Sequence, residues 1–329
     1  MHGGSEGRIL GDMTFSRDRD VVMAATMYYL QDMTMEAIAR HLRTSRSTVS
    51  RMLRRARETG IVEITLRPAH SLAPGLGREL ATRHGIEVYV VPVPDDADPA
   101  ERLTQVALTS ARLVARMVDS DMVLGIAWGT TVGAVAEHLA VKPTRGAHVV
   151  QLNGAANTRT SGYGYVGALL DRFASAFEAQ PHYFPVPAFF DYAETRAAMW
   201  RERSVRRVLD VQARTDVALF SVGALESVVP SHVYAAGYLD PEDRAALRDA
   251  GAVGDVCTVF LRPDGTFRDL AINARATGPT PDQLARYPRR LCVAAGDGKV
   301  APLRAALAAG VVTDLVVDEI TATRLVEQP

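Results

Sequence analysis

Lysine and cysteine are both rare in this 329-residue chain. Lys142 and Lys299 are the two lysines, so nearly all of the 37 basic residues are arginines. The two cysteines, Cys257 and Cys292, lie in apolar, strand-like runs, and the eight histidines are scattered without the spacing of metal ligands. We therefore expect no disulfide, no structural zinc and no other metal or cofactor.

Long apolar segments are also missing from the sequence. No early apolar run resembles a signal sequence, and no stretch of about 20 uncharged apolar residues could cross a bilayer. We therefore expect a cytoplasmic protein without a membrane partner. The 37 basic and 38 acidic residues nearly cancel, so any attraction to nucleic acid must be local.

Residues 34–66 predict two short helices, a tight turn and a strand. Thr34 can cap the first helix, whose apolar positions Ile38, Ala39 and Leu42 recur at helical spacing. Ser45 can cap the second helix, which places four apolar residues on one face, namely Val49, Met52, Leu53 and Ala56. Gly60 favours a left-handed helix end before a predicted strand over 61–66. This pattern is typical of a DNA-binding helix-turn-helix.

The outward face of the second predicted helix carries arginines and short hydroxyl side chains. Hydroxyls and an arginine at the front of such a helix suit base edges in the major groove, and arginines behind them suit phosphates. We predict that DNA is contacted by Arg46, Ser47, Thr48, Ser50, Arg51, Arg54 and Arg55. The alternative is a helical hairpin with a solvated basic face, because helix-turn-helix patterns are degenerate.

The segment SRSTVSRMLRRARETGIVEI resembles the DNA-binding segment of the SorC family of bacterial sugar-responsive transcriptional regulators. The resemblance extends over roughly residues 20–326, and it implies a C-terminal effector domain and, as in SorC relatives, a homotetramer. Because one helix-turn-helix reads only a few base pairs, at least a dimer is expected, with half-sites ~34 to 36 Å apart or a multiple of that.

The chain divides into four predicted segments. A flexible N-terminus covers 1–19, a helix-turn-helix domain that begins with a supporting helix covers 20–67, a linker or oligomerisation helix covers 68–85, and an effector domain covers 86–329. Val21, Val22, Ala25, Tyr28, Tyr29 and Leu30 are the apolar residues of the supporting helix.

In the predicted effector domain, short apolar runs alternate with helix-like segments. The runs are EVYVVPV, MVLGIA, HVVQL, HYFPVP, DVALFSV, VCTVFL, LCVAA and DLVV, and one predicted helix covers 195–213. This alternation predicts an α/β fold with a doubly wound, mostly parallel sheet, after a small all-helical domain. Ligands of such sheets bind beyond the carboxyl ends of the strands.

Two glycine-containing loops follow predicted strands and open helices. Gly129, Thr130 and Thr131 offer close backbone approach, hydroxyls and a helix N-terminus to an anion, although an ordinary capped helix has the same pattern. They resemble the WGxT segment of SorC-type effector domains, which contacts the phosphate of a phosphorylated sugar or the equivalent part of a free sugar. Lys299, in a loop similar to the family's AGGxxK segment, could neutralise a phosphate, be merely solvated or, much less favourably, form a Schiff base.

Three further residues complete the predicted effector site. Asp255 ends a GAVGD segment that resembles a family signature, and it could accept hydrogen bonds from sugar hydroxyls or else cap or pair within the fold. Asn153 and Gly223 follow other predicted strands and are expected to line the same crevice. Some phosphosugar-binding relatives carry an arginine near the position where this chain has Asn153. Because this chain lacks that arginine, a neutral sugar or polyol is left open as the effector.

The sequence therefore predicts a sequence-specific transcriptional regulator whose operator binding is controlled by a sugar, polyol or sugar phosphate. The effector fold is similar to that of glucosamine-phosphate deaminase and ribose-phosphate isomerase, so an enzyme with an accessory DNA-binding module is the alternative. We assign no catalytic residue, because Asp255 has no convincing acid/base partner. A sequence-neutral DNA binder is a third hypothesis, and the basic residues Arg201, Arg203, Arg206 and Arg207 are given no role.

Overall fold

The computed structural model describes residues 19–62, 74–94, 96–225, 231–235 and 237–327. The chain divides into two compact units, residues 1–69 and residues 70–329. In the first unit, the described helices are α1 over 19–29, α2 over Met35–His41 and α3 over Arg46–Glu58. The predicted N-terminus 1–19 lies almost wholly outside the described residues, and the predicted linker or oligomerisation helix over 68–85 is described from residue 74 onward.

The predicted helix caps of the first unit are confirmed. The Thr34 hydroxyl accepts the Ala37 N–H at 3.2 Å, and the Ser45 hydroxyl accepts the Thr48 N–H at 3.2 Å. Each bond satisfies one of the free N–H groups at a helix start. Gly60 follows α3 with a φ of 73°, as predicted for a left-handed helix end.

The strand predicted over 61–66 is described only at its first two residues. Ile61 and Val62 lie in a bend, and the Val62 N–H donates to the Ala56 carbonyl of α3 at 2.9 Å. This bond pairs a carbonyl group in the last turns of α3. Because the backbone after the helix turns back to make it, these two residues are not extended. The remainder of the predicted strand lies outside the described residues.

The core of the first unit is built from one face of each helix. Val21 and Ala24 of α1 pack with the buried residues Ile38, Ala39, Val49, Leu53 and Ala56 of α2 and α3. The sequence overestimated the buried face of α1, because Val22, Tyr28 and Leu30 are 47%, 36% and 79% exposed. A helix turns by about 100° per residue, so consecutive apolar residues such as Val21 and Val22 cannot both lie on the one face that packs against the other helices.

The second unit is an α/β fold, as predicted. Its described strands form a seven-stranded sheet in the order β1-β10-β9-β5-β2-β3-β4, in which every neighbouring pair is parallel. The strands are β1 Glu87–Val91, β2 Val123–Ile126, β3 His148–Gln151, β4 Gln180–His182, β5 Val217–Phe220, β9 Arg289–Ala294 and β10 Asp314–Asp318. The strands β6 Val222–Ala224, β7 Gly254–Val256 and β8 Val259–Leu261 form a small antiparallel sheet.

Helices cover both faces of the parallel sheet. They are α4 Pro74–His84, α5 Pro99–Met117, α6 Thr130–Glu137, α7 Ala168–Phe177, α8 Ala193–Met199, α9 Arg203–Gln212, α10 His232–Ala235, α11 Pro241–Asp249, α12 Pro281–Leu284, α13 Val300–Ala308 and α14 Glu319–Glu327. A π-helical turn, Tyr163–Gly167, precedes α7, and 3₁₀ turns cover Ala271–Ala274 and Asp297–Lys299.

Strand β5 illustrates how the two faces are packed. Its residues Val217 and Leu219 lie in one apolar core with α5, α6 and α7, whereas Ala218 and Phe220 lie in another with α13 and α14. Successive side chains of a strand point to opposite faces, so this division is expected of a sheet buried on both sides. Leu80 of α4 is fully buried in the second core, so α4 packs within this unit.

Two of the predicted strands differ from the structure. HYFPVP is not extended, because β4 ends at its first residue and the prolines at 185 and 187 lack the N–H that a sheet requires. VCTVFL is divided into β7 and β8 by a tight turn at Cys257 and Thr258, which have φ values of 50° and 69°. Two consecutive left-handed residues match the twist of a hairpin, a feature that the apolar run conceals.

The helix predicted over 195–213 is two helices, α8 and α9. Ser221 also interrupts the predicted DVALFSV strand, so that β5 belongs to the parallel sheet and β6 to the antiparallel one. Both cysteines are buried, free thiols. No described helix combines the length and apolarity needed to cross a bilayer.

Candidate functional site

Helix α3 buries its apolar stripe and exposes the residues that were predicted to contact DNA. Val49, Leu53 and Ala56 are at most 4% exposed. On the opposite side, Arg46, Ser47, Ser50, Arg51, Arg54 and Arg55 are exposed, and Thr48 is half-buried. A positively charged helix face is therefore open to solvent.

Several hydrogen bonds organise the front of this face. The Thr48 hydroxyl lies 2.9 Å from the hydroxyl of Ser45, and Arg51 donates to it at 3.2 Å. Arg46 forms an ion pair with Glu36 of α2 at 2.9 Å. The sequence pattern did not predict an acidic side chain beside this face. Because exposed ion pairs contribute about 0 to 1 kcal/mol, a phosphate could replace Glu36 at small cost.

The connectivity of the parallel sheet defines a ligand crevice in the second unit. From β2 the chain proceeds outward through β3 to the edge strand β4, and it then returns to β5 on the other side of β2. In open α/β sheets, ligands bind at the carboxyl ends of the two strands where the order reverses. Here those strands are β2, which Gly129 and Thr130 follow, and β5, which Gly223 follows.

The loop after β2 leads directly into α6. Thr130 is exposed, and no side chain caps the helix N-terminus at Gly129. Thr131 is buried and accepts a hydrogen bond from Ser221, the residue after β5, at 3.3 Å. Thr131 thus ties the two strand ends together, whereas Thr130 is exposed at a helix start whose backbone N–H groups have no side-chain cap.

Asn153 lies at the end of the neighbouring strand β3. Its backbone is positioned by Trp128, whose indole N–H donates to the carbonyls of Gly154 at 2.8 Å and of Asn153 at 3.2 Å. The Asn153 side chain is only 1% exposed, and its Oδ1 atom has no hydrogen-bond partner among the described residues. Buried polar atoms are normally paired, so this oxygen is available to a bound hydroxyl or amine.

Gly223 and Asp255 face each other in the antiparallel pair β6–β7. The Asp255 carboxylate is buried, and it accepts the Tyr234 hydroxyl at 3.0 Å and the Thr258 N–H at 2.9 Å. Burial raises the pKa of Asp255, whereas the Thr258 N–H, the Tyr234 hydroxyl and the charge of Lys299 act in the opposite direction. Both carboxylate oxygens therefore have partners within the fold.

Lys299 reaches inward from the loop after β9. Its ammonium donates to the Val222 carbonyl at 2.7 Å and to the Ser231 hydroxyl at 3.1 Å. Burial lowers the pKa of Lys299, and the negative charge of Asp255 counteracts that shift. The loop is held at Gly296, whose N–H donates to the buried Asp318 carboxylate at 2.9 Å.

The structure brings the predicted effector residues to one edge of the sheet, at the carboxyl ends of the adjacent strands β9, β5, β2 and β3. Sequence reasoning missed Ser231 and Tyr234, which contact Lys299 and Asp255. Both lie in a short segment without periodicity, so no local signal identified them. The described residues contain no group of three or more His, Cys, Asp or Glu side chains that could hold a metal ion.

Comparisons with known families match both units. Residues 74–327 match the Sugar-bind family of sugar-binding domains, and residues 16–59 match region 4 of sigma-70. The deoxyribonucleoside regulator of Bacillus subtilis (strain 168) is 32% identical over 93% of this chain and 96% of its own length. The sorbitol operon regulator of Klebsiella pneumoniae is 26% identical over 94% of this chain and 98% of its own.

Solved structures agree with these sequence matches. A domain of "a possible sugar-binding transcriptional regulator" from Arthrobacter aurescens TC1 is 48% identical, with a TM-score of 0.74, and covers 80% of this chain and 100% of that one. The full-length sorbitol operon regulator SorC from Klebsiella pneumoniae is 25% identical, with a TM-score of 0.69, and covers 94% of this chain and 98% of that one.

Proposed function

The chain belongs to the SorC family of sugar-binding transcriptional regulators, and on that premise we propose how its residues recognise DNA and an effector. It is a DNA-binding regulator with a helix-turn-helix and a sugar-binding domain. The observation that carries the finer proposal is the gathering of the polar strand-end residues at the switch point between β2 and β5.

On the DNA side, α3 enters the major groove. The residues at its front, Arg46, Ser47, Thr48 and Ser50, contact base edges. The residues behind them, Arg51, Arg54 and Arg55, contact phosphates. The exposure of this face, together with the burial of the opposite face in the three-helix core, supports the assignment.

On the effector side, the ligand is a polyhydroxylated compound. The names of two relatives refer to deoxyribonucleosides and to sorbitol, both of which carry more than one hydroxyl. We infer that Asn153 Oδ1, which is buried without a partner, accepts a hydrogen bond from one ligand hydroxyl. A phosphate, if the effector carries one, would lie at the N-terminus of α6 beside Thr130, within the field of the Lys299 ammonium.

The effector site does not transform its ligand. A general base must lie beside the reacting carbon, but Asp255 is buried and both of its oxygens are held within the fold by Tyr234 and Thr258. The Lys299 ammonium is a donor in two hydrogen bonds and is not a free amine nucleophile. This arrangement favours binding over catalysis.

Regulation then follows from differential binding. An effector that prefers one arrangement of a dimer or tetramer shifts the population towards it and changes the fit of paired α3 helices to successive major grooves. Residues 68–85, which include α4, would serve as the linker or oligomerisation helix.

A thermal-shift screen followed by DNA binding tests this proposal. The purified chain is screened with sugars, polyols and their phosphates, because a ligand that binds only the native state raises the unfolding midpoint. We expect at least one such ligand to change the affinity for a selected operator by about tenfold, a coupling free energy of ~1.4 kcal/mol. Turnover of that ligand without any effect on DNA binding would instead support the enzyme hypothesis.

A further inference from the structure

A charged groove lies on the second unit between α9 and the strands β3 and β4, the second of which is the edge strand. Its volume is about 510 Å³, which is within the range of small-molecule sites. One wall is formed by α9, whose buried face includes Val205 and Val208. The other wall carries His148, the first residue of β3, and His182, the last residue of β4.

Four arginines line the groove, and a single acidic side chain, Asp210, is among the lining residues. The arginines are exposed and follow one face of α9 and its C-terminal extension at positions 203, 206, 207 and 214. Within the described part of the chain, none of them forms an ion pair with a carboxylate. The groove therefore holds more positive than negative charge, four arginines against one carboxylate.

Charge pairing within α9 accounts for only part of this set, because Asp210, the single carboxylate in the groove, is shared at helical contact spacing by Arg206, Arg207 and Arg214. The helix dipole favours negative charge at the N-terminus of α9, but the first turn contains Arg203, and the N-cap residue Glu202 makes no side-chain capping bond. Arg203 also stands three and four residues before Arg206 and Arg207, a spacing at which like charges repel each other. A bound anion would relieve both unfavourable interactions.

The two histidines add a second polar element to the groove. His148 Nδ1 and His182 Nε2 are 2.9 Å apart, so one imidazole donates a hydrogen bond to the other. Burial, together with the positive charges of Arg207 and Arg214, lowers the pKa of His182. Negative charge in the groove would counteract the effect of the arginines.

We propose that this groove binds a small molecule carrying two or more phosphate groups, at a site separate from the effector crevice. Guanidinium groups match phosphate oxygens in bidentate geometry, and several arginines along one helix suit several phosphates. The groove lies at His148, the first residue of β3, whereas Asn153 of the effector crevice lies beyond the other end of that strand, which is itself roughly 10 Å long. Occupation of one site therefore leaves the other open.

Calorimetric titration of the full-length protein with tripolyphosphate tests the proposal. The variant Arg206→Ala/Arg207→Ala is compared with Arg201→Ala/Arg248→Ala, which removes two exposed arginines outside the groove and so changes the net charge equally. We expect the first variant to weaken binding by about tenfold or more, because charge-assisted hydrogen bonds are lost, and the second to leave it within about twofold. Lys299→Met should also retain wild-type binding, because the effector crevice is not involved.

Four outcomes would overturn the proposal. They are no binding of tripolyphosphate by the wild-type chain, equal weakening in both double variants, an unchanged affinity in Arg206→Ala/Arg207→Ala, and a loss of binding in Lys299→Met. Duplex DNA of unrelated sequence is titrated in parallel. If the groove variant loses affinity for DNA but not for tripolyphosphate, the arginines contact nucleic acid and the small-anion site is rejected.

Discussion

Gly223 lies directly opposite Asp255 in the β6–β7 pair, and a Cβ atom added to Gly223 would lie 1.8 Å from Asp255 Oδ1. The absence of a side chain at Gly223 therefore creates the space in which the buried carboxylate meets Tyr234. Because no Cβ fits at this distance, the carboxylate would have to move away from Tyr234 in any larger variant.

We predict that Gly223→Ala destabilises the second unit and disturbs the effector site. Overpacking of a tight core costs roughly 1 to 3 kcal/mol, and the displaced carboxylate loses hydrogen bonds as well. Urea denaturation measures the free energy of unfolding. Gly75→Ala in α4 is the control, because a Cβ there meets nothing within 4 Å. Equal stability of the two variants would contradict the tight packing of Gly223.

The two lysines provide a matched test of the effector site. Lys299→Met should abolish the change in operator affinity on ligand addition, while the affinity of the unliganded protein stays within about threefold. Lys142 also bonds to backbone, donating to the Ala115 and Val118 carbonyls at 2.9 and 2.6 Å, but at the end of α5. Lys142→Met should cost about 1 kcal/mol of stability and leave the ligand response intact. Fluorescence anisotropy with labelled operator measures both responses.

The hydroxyls and the rear arginines of α3 should affect DNA binding differently. Arg54→Ala should weaken binding to all sequences and lower the slope of log affinity against log salt by ~0.9, because one phosphate contact is lost. Ser47→Ala should instead relax preference at particular base pairs, each worth about 1 to 3 kcal/mol. Titrations over a salt series and over single-base operator variants separate the two effects. Loss of affinity without any relaxed position in either variant would support the sequence-neutral binder.

The histidine pair predicts a pH dependence of stability. The pKa of His182 is lower in the folded chain than its ordinary value of 6.5, because of burial first and then the nearby His148 and arginine charges. Below pH 6.5 the unfolded chain therefore binds a proton more readily than the folded one. The stability contribution is present above this pH and is lost as the pH falls towards the folded pKa. His182→Gln, which keeps a hydrogen-bonding side chain, should flatten urea midpoints measured between about pH 7.5 and 5.5. An unchanged slope would exclude His182 as the cause.

Local patterns predicted the caps and the packed faces of α2 and α3. Thr34 and Ser45 each cap a helix by accepting a hydrogen bond from the N–H group three residues further along. Gly60 ends a helix by adopting a positive φ, which depends on that residue alone. The α3 stripe of Val49, Leu53 and Ala56 was equally predictable, because helical periodicity is a local property. The alternation of strands and helices likewise predicted a parallel sheet in the second unit, since parallel strands need crossover helices.

Tertiary structure alone decided what those residues contact. The sequence placed Gly129, Asn153, Gly223 and Lys299 after strands, but the strand order brought those strand ends together. The sequence also did not indicate that Tyr234 would donate a hydrogen bond to Asp255 or that Glu36 would pair with Arg46. Nor did it indicate that four arginines would line a groove together with two histidines. These contacts join residues that are distant in the chain. Which residues meet depends on the order of the strands and on helix packing, and short-range periodicity carries no information about either.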